Sequence, residues 1–387
     1  MRGEHRRASA PVRTGWRGRA LVAALAVGAL STGSAVIALT PHSDSGARLS
    51  ANDTPAATCA DPATMPLRAA VAQALMVGVV APDRKELTLL TKVRIGGVFL
   101  HGDGTEELTD GRLKRLAAPG PVGVAPLVAA DDEGGRVQRI AGLAGSMRSA
   151  RKQTQTLSAD EVRALARKRG ERLLRYGITM NLAPVVDLGG SNSAIGDRSY
   201  AARADKVTRY AGAFAAGLRD AGVLPTLKHF PGHGRAVGDS HRGQAMTPSV
   251  ASLRERDWVP YRTLGATGVA VMVGHLTVPG LSTPGLPSSL DPAVYRALRT
   301  ELGFNGLVVT DELSEMKAVR DKFGLRKALR RALAAGADLA LFFAEPDRVP
   351  RLLDRLEADV KHGRLPEARV REAAGRVLAA KGCGQGG

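Results

Sequence analysis

Eight short aliphatic runs, most of them separated by amphipathic helical segments, predict an α/β chain folded as a closed (β/α)8 TIM-type barrel. Three observations carry this. The runs are continuously apolar rather than alternating, as strands of a parallel sheet covered on both faces must be. Several intervening segments have helical periodicity and stop at a glycine just before the next run. The turn after the first run, residues 77–82, lacks the glycine-rich phosphate cradle that an open doubly wound sheet would place there.

The elements follow in order. Runs 75–80 and 95–100 are aliphatic, and run 125–131 ends in Asp131. A helical pattern over 159–176 stops at Gly177, and run 180–188 follows with Asp187 near its end. The pattern over 204–221 stops at Gly222, before run 224–230, which ends in Lys228-His229-Phe230. Run 269–276 carries His275. The pattern 292–302 stops at Gly303 before run 306–311, which ends in Asp311. The pattern 325–335 stops at Gly336 before run 337–343, and a last helix over 366–381 stops at Gly382. In such a barrel the site lies over the C-terminal ends of the strands. Here those ends carry Asp131, Asp187, Lys228-His229, His275 and Asp311, ionisable groups closing otherwise apolar runs.

With 387 residues, 44% hydrophobic and 24% charged, the chain is long and apolar enough for a sizeable core, and wholesale disorder is excluded. Aromatics are only 4%, so that core is aliphatic. The net charge is +18; six arginines and one glutamate precede residue 40, so the remainder keeps +13. A basic face of this kind is suited to anionic cell-wall polymers or a membrane surface, against the plainer reading of arginines spread over helix surfaces. No Lys/Arg run is interleaved with aromatics, and no zinc-finger or helix-turn-helix spacing is present, which argues against nucleic acid as a partner.

Arg13, Arg17 and Arg19 precede an uncharged apolar stretch over 20–39. That arrangement predicts an export leader over 1–39, either a cleaved signal or a membrane anchor, and hence an extracytoplasmic protein. Residues 40–61, rich in Ser, Thr, Ala, Pro and Asp, read as a flexible tether, leaving 62–383 for the barrel. Cys59 ends the tether and Cys383 follows the last helix. Two lone cysteines in an oxidising compartment are most simply a disulfide, and in a closed barrel the last unit lies beside the first. Their pairing is therefore expected.

The densest motif is Lys228-His229-Phe230-Pro231-Gly232-His233-Gly234, followed by Gly238-Asp239-Ser240-His241. His229 and His233 have the i, i+4 spacing of a helical metal site, but Pro231, Gly232 and Gly234 make a helix there implausible. The better reading is a mobile glycine-rich loop bearing an Asp-x-His pair, in which Asp239 orients His241 for acid–base work. KHFPGHG with DSH, together with Asp131-Asp132-Glu133-Gly134-Gly135-Arg136-Val137-Gln138-Arg139 and Asp197-Arg198-Ser199, closely resembles the family 3 glycoside hydrolases. The similarity, over about residues 65–381, is to the single-domain β-N-acetylhexosaminidase branch. That resemblance implies Asp311 as nucleophile, His241 as acid/base and Asp239 as its orienting partner. It also implies that Asp131, Arg139, Arg198, Lys228 and His229 hold the sugar, with no metal or organic cofactor.

Two departures from the family pattern stand out. Ser314-Glu315-Met316-Lys317 replaces a shorter turn after the nucleophile motif, and Asp132 stands where a neutral residue is common. Both are expected to alter contacts at the sugar's edges. Glu312 is expected to face away from the pocket, since successive strand residues point to opposite faces, and Glu133 to brace its loop. His275 is left open between lining the pocket and closing a hydrogen bond.

The resulting expectation is an exported, monomeric, exo-acting, retaining β-N-acetylglucosaminidase. Its substrate would be the β-linked GlcNAc ends of peptidoglycan-derived fragments. Two rivals stand beside it: a phosphorylase using the same site, and a non-catalytic cell-wall-binding protein.

Overall fold

The computed structural model describes residues 59–80, 82–102, 109–116, 124–190 and 194–383; the leader 1–39 and nearly all of the tether lie outside the described residues. Eight parallel strands form β1 (Leu75–Val80), β2 (Gly97–His101), β3 (Leu127–Ala130), β4 (Met180–Asn181), β5 (Leu224–Phe230), β6 (Ala270–Val273), β7 (Val308–Thr310) and β8 (Ala340–Phe343). They pair in the order β7-β6-β5-β4-β3-β2-β1-β8. One parallel bridge between Val309 and Leu339 then joins β7 to the residue before β8 and completes the ring. The expected (β/α)8 barrel is the fold, with each of the eight runs contributing its strand.

The strands are apolar throughout because both faces are buried. Alternate side chains divide cleanly. Met76, Phe99, Leu127, Ala129, Met180, Met272, Val309 and Leu341 fill the barrel interior. Their neighbours Val77, Val98, Val128, Val271, Val308 and Phe342 join the larger cluster under the helices. β4 is shorter than run 180–188 suggested. Pro184 has no N–H to give the ladder, and beyond it only the bridge between Val185 and Lys228 continues the pairing.

Three of the four named helical patterns form as read: Ala159–Arg175, Ala204–Asp220 and Leu325–Ala335. The first starts at a capping box in which Ser158 and Glu161 each accept the other's backbone N–H, a feature typically worth about 1 kcal/mol. The fourth pattern divides into an α-helix, Pro292–Arg296, and a π turn, Ala297–Glu301. The stops Gly177, Gly222, Gly303 and Gly336 all have positive φ, the helix-ending conformation that glycine adopts at least cost.

The last helix, Glu367–Ala380, sends Val377 into the interior cluster. Just beyond it Cys383 is bonded to Cys59, with the Cα atoms 5.7 Å apart across 324 positions of sequence. The expected pairing is present. Cys59→Ser or Cys383→Ser should lower stability by about 2–4 kcal/mol, since the loop released is very long, and should leave turnover within about twofold. Thermal melts with and without reductant, alongside thiol titration under denaturing conditions, measure both effects. An unchanged melting temperature would show the bond to be energetically idle.

Candidate active site

A cavity of about 330 Å³ opens over the C-terminal ends of the strands. Asp131, Arg139, Arg198, Lys228, His229, His241 and Asp311 all line it, and Asp239 stands directly behind His241. Its walls also hold Phe99, Leu182, Met272, Leu341 and Phe343, which continue the inward-facing rows of the barrel. The cavity lies at the small end of ligand pockets, which run from about 300 to 1,000 Å³.

One side is a buried charge network. Lys228, from β5, is 2% exposed, and its Nζ lies 2.5 Å from Asp131 Oδ1 and 2.6 Å from Glu133 Oε1. Arg198 donates to both carboxylate oxygens of Glu133 at 2.7 Å, a fork-on-fork pairing. Burial by itself would raise the Glu133 carboxyl, but Arg198 and Lys228 outweigh it and hold the group well below the usual carboxylate range. Burial likewise works against charge on Lys228, and Asp131 and Glu133 overcome it, keeping the ammonium above its ordinary value. Glu133 thus braces two cations of the pocket rather than only its own loop.

Lys228 and His229 are consecutive yet line the same cavity, where a regular strand would turn one of them away. The pairing register of β5 against β6 shifts between Leu227 and Phe230, so regular strand alternation does not hold across Lys228 and His229. His229 is fixed by Asp187, whose Oδ2 accepts from the His229 backbone N–H at 3.2 Å and lies 2.7 Å from Nδ1. The other oxygen of Asp187 accepts from the His233 N–H at 2.6 Å. Asp187 is buried, and against the cost of that burial His229 and His233 hold its carboxyl low. It is a positioning residue that strand-end reading flagged but left without a role. With Asp187 accepting, Nδ1 carries the His229 proton and Nε2 is left towards the Arg198 guanidinium, 3.5 Å away.

The glycine-rich half of the loop is buried and anchored, in contrast to the mobile loop expected throughout. Trp258 Nε1 donates to the Pro231 carbonyl at 3.0 Å, and Arg235 pairs with Asp257 at 2.6 Å. A Cβ at Gly234 would lie 1.8 Å from the Leu188 carbonyl oxygen, so only glycine fits there. The exposed half is held at its base by reciprocal backbone hydrogen bonds between Val237 and Met246. At its tip His241 is 62% exposed, with Nδ1 2.9 Å from Asp239 Oδ1, the same oxygen that accepts the His241 backbone N–H at 3.0 Å. Burial pushes the Asp239 carboxyl up, and its hydrogen bonds to His241 more than reverse this. Nδ1 therefore donates, leaving Nε2 as the nitrogen not engaged by Asp239, on a ring that borders the cavity.

Asp311 follows β7, and its Oδ1 accepts from the Glu312 N–H at 2.9 Å. Glu312 differs from expectation: it is among the residues lining the cavity. β7 ends at Thr310, so strand alternation no longer governs 311 and 312. The Glu312 carboxylate is engaged with the following turn, accepting from the N–H groups of Ser314 at 2.6 Å and Glu315 at 2.7 Å. Through that turn Glu315 and Met316 reach the cavity wall, as expected for the longer segment here. Asp132, by contrast, is not at the sugar's edge. It is fully buried and pairs with Arg169 of helix Ala159–Arg175, tying the loop after β3 to the outer layer. His275 also lies off this cavity, with Nδ1 2.6 Å from Ser289 Oγ and Nε2 2.6 Å from the Glu312 carbonyl oxygen.

A family model described as the glycosyl hydrolase family 3 N-terminal domain matches residues 66–380. The β-hexosaminidase LpqI of Mycobacterium tuberculosis is 46% identical over 340 residues, which are 84% of this chain and 86% of that protein. The solved structure of M. tuberculosis LpqI matches with a TM-score of 0.78 at 45% identity, covering 84% of this chain and 97% of that one. A family 3 β-N-acetylglucosaminidase from Paenibacillus sp. str. FPU-7 matches with a TM-score of 0.75 at 33% identity, over 82% of this chain and 62% of the other.

Proposed function

The chain belongs to glycosyl hydrolase family 3 and is a β-hexosaminidase, and from that premise we propose that it is an exported, exo-acting, retaining β-N-acetylglucosaminidase of peptidoglycan-derived fragments. The observation that carries this reading is one small cavity bordered by a carboxylate, Asp311, and by a histidine, His241, held through Nδ1 by Asp239. A retaining mechanism needs a nucleophile and a proton donor at the same anomeric carbon.

In the first step an Asp311 oxygen attacks C1 while the C1–O bond to the leaving sugar breaks. Protonated His241 gives its Nε2 proton to the departing oxygen. In the second step His241 takes a proton from water, the resulting hydroxide attacks C1, and the Asp311–C1 bond breaks to release the sugar. Lys228, Asp131 and Arg198 offer charge-assisted hydrogen bonds to sugar hydroxyls, with Arg139 and His229 completing the ring of polar contacts. A cavity of about 330 Å³ suits one terminal sugar rather than a polymer segment.

A second reading rests on the identity of the acid/base. A histidine, unlike a carboxylate, does not repel an incoming phosphate, so phosphorolysis at the same carbon is chemically open. Incubating the enzyme with GlcNAc–anhydroMurNAc and with p-nitrophenyl β-GlcNAc, in phosphate and in phosphate-free buffer, decides between them. Free GlcNAc in both buffers is expected. GlcNAc-1-phosphate in phosphate buffer would convert the enzyme to a phosphorylase, and release from neither substrate would remove the proposed substrate class.

A further inference from the structure

A second, larger concavity of about 1190 Å³ runs between helix Leu325–Ala335 and helix Val349–Lys361, the two helices flanking β8. Its walls hold six arginines and one lysine. The two sets of cations have distinct surroundings. Arg326, Arg364 and Arg330 converge on one buried carboxylate, Asp359, at 2.6, 2.6 and 3.7 Å. Arg348, Arg351 and Arg355 lie three and four positions apart, on one face at the start of helix Val349–Lys361, and are exposed. Among the described residues these three make no ion pair.

Two cation-bearing helix faces opposed across a groove repel one another, and Asp359 neutralises only part of that charge. Elsewhere on the surface, arginines such as Arg163 and Arg254 are matched one-to-one with Asp220 and Glu301. An anion of several charges would relieve the groove. Guanidinium groups bind carboxylates in two-pronged fashion, and those fixed on Asp359 are already oriented.

The groove adjoins the active-site cavity at one residue. Phe343, the last residue of β8, lines both. Its ring packs over Gly78, where a Cβ would come within 2.3 Å of it, and it meets the His101 ring edge-on at 5.0 Å. A substrate whose terminal sugar sits in the cavity therefore has a basic groove on the far side of Phe343. We propose that this groove binds the anionic part of the leaving group, a chain carrying two or more carboxylates such as the stem peptide of a wall fragment, and so selects peptide-bearing fragments. The inference rests on the reading that wall-derived β-GlcNAc fragments are the substrate.

The test compares the full chain with an Arg348→Glu/Arg351→Glu/Arg355→Glu variant on three substrates: p-nitrophenyl β-GlcNAc, GlcNAc–anhydroMurNAc, and the same disaccharide bearing a stem peptide with free carboxylates. The expected result is a drop of about tenfold or more in kcat/KM on the peptide-bearing substrate, expressed mainly in KM, with the p-nitrophenyl substrate held within about twofold. Raising the salt from about 50 to 500 mM should erode the wild-type preference for the peptide-bearing fragment in the same way. Equal losses on all three substrates, or an unchanged preference in the variant, would overturn the groove's role. An Arg→Gln version of the triple variant, which removes the positive charges without adding negative ones, should show a smaller drop in the same direction; the absence of any drop counts against the proposal. A wild-type enzyme that cleaves the p-nitrophenyl substrate but neither glycan overturns the proposed substrate, and this inference with it. Cleavage of both glycans without regard to the peptide strikes the inference alone.

Discussion

Asp311→Ala should lower turnover by on the order of 10³–10⁶-fold, because the proposed covalent bond to C1 loses the carboxylate that forms it. Glu312 is its nearest rival, but its oxygens are committed to the 314–316 turn. The fold should persist, since Asp311 takes only one backbone hydrogen bond into its side chain, from Glu312. Azide supplies a decisive arm. With the nucleophile gone, azide can attack C1 from the vacated face as the leaving group departs, and the product is the α-glycosyl azide. Near-wild-type activity in a stably folded Ala variant would remove Asp311 from the mechanism. The same residue sets a pH expectation. Burial alone would raise its carboxyl, yet His275, His229, His241 and the Glu312 N–H together bring it down to about 2. Its pKa is thus depressed relative to the unfolded value of about 3.9. Its contribution to stability is then complete above about pH 4 and fades as pH falls through about 2. An acid limb in kcat/KM centred above pH 4 must come from another group, and Asp311→Ala cannot be used to explain one away.

His241→Ala is expected to cost about 10²–10⁴-fold on GlcNAc–anhydroMurNAc, whose departing sugar oxygen needs a proton. The p-nitrophenyl substrate should lose much less at the glycosylation step, because its leaving group departs readily as an anion. Asp239→Asn should reproduce the pattern more mildly. The amide oxygen can still accept from Nδ1, so orientation is partly kept, while the charge that stabilises a protonated ring is lost. Pre-steady-state measurement of the bond-breaking step on both substrates separates the cases. Equal losses for good and poor leaving groups would take the proton-donor role away from His241.

The architecture was legible because its signals are local and redundant. Each strand is a continuous apolar run, and four helices end on glycines whose positive φ matches the stop inferred from composition. The polar residues at the strand ends were legible for a related reason: an ionisable side chain closing an apolar run has no structural need to be there. What stayed hidden depends on register and on contacts across the ring. The pocket walls Phe99, Leu341 and Phe343 are ordinary members of apolar strands, and only the barrel's stagger decides that they reach the top layer. The link from Glu133 to Arg198 spans 65 positions, and that from Asp132 to Arg169 spans 37. Neither spacing carries a periodic signal. Asp132 therefore reads as a group at the pocket edge although it is a strut to the outer layer, and Glu312 faces the cavity because strand alternation stops at Thr310, two residues before it.

The bond between Cys59 and Cys383 makes the chain a closed loop in covalent terms, with β8 paired to β1 as any two successive strands are. In such a molecule the starting point of the polypeptide is a matter of ancestry rather than architecture. What the sequence must preserve is the cyclic order of eight strand–helix units, and a ring has no first member. A gene that joined residue 383 to residue 59 through a short peptide and opened the ring at the exposed turn around Gly363 would encode the same neighbours in the same order. The disulfide would then be redundant, since a peptide bond would hold what the sulfur atoms now hold.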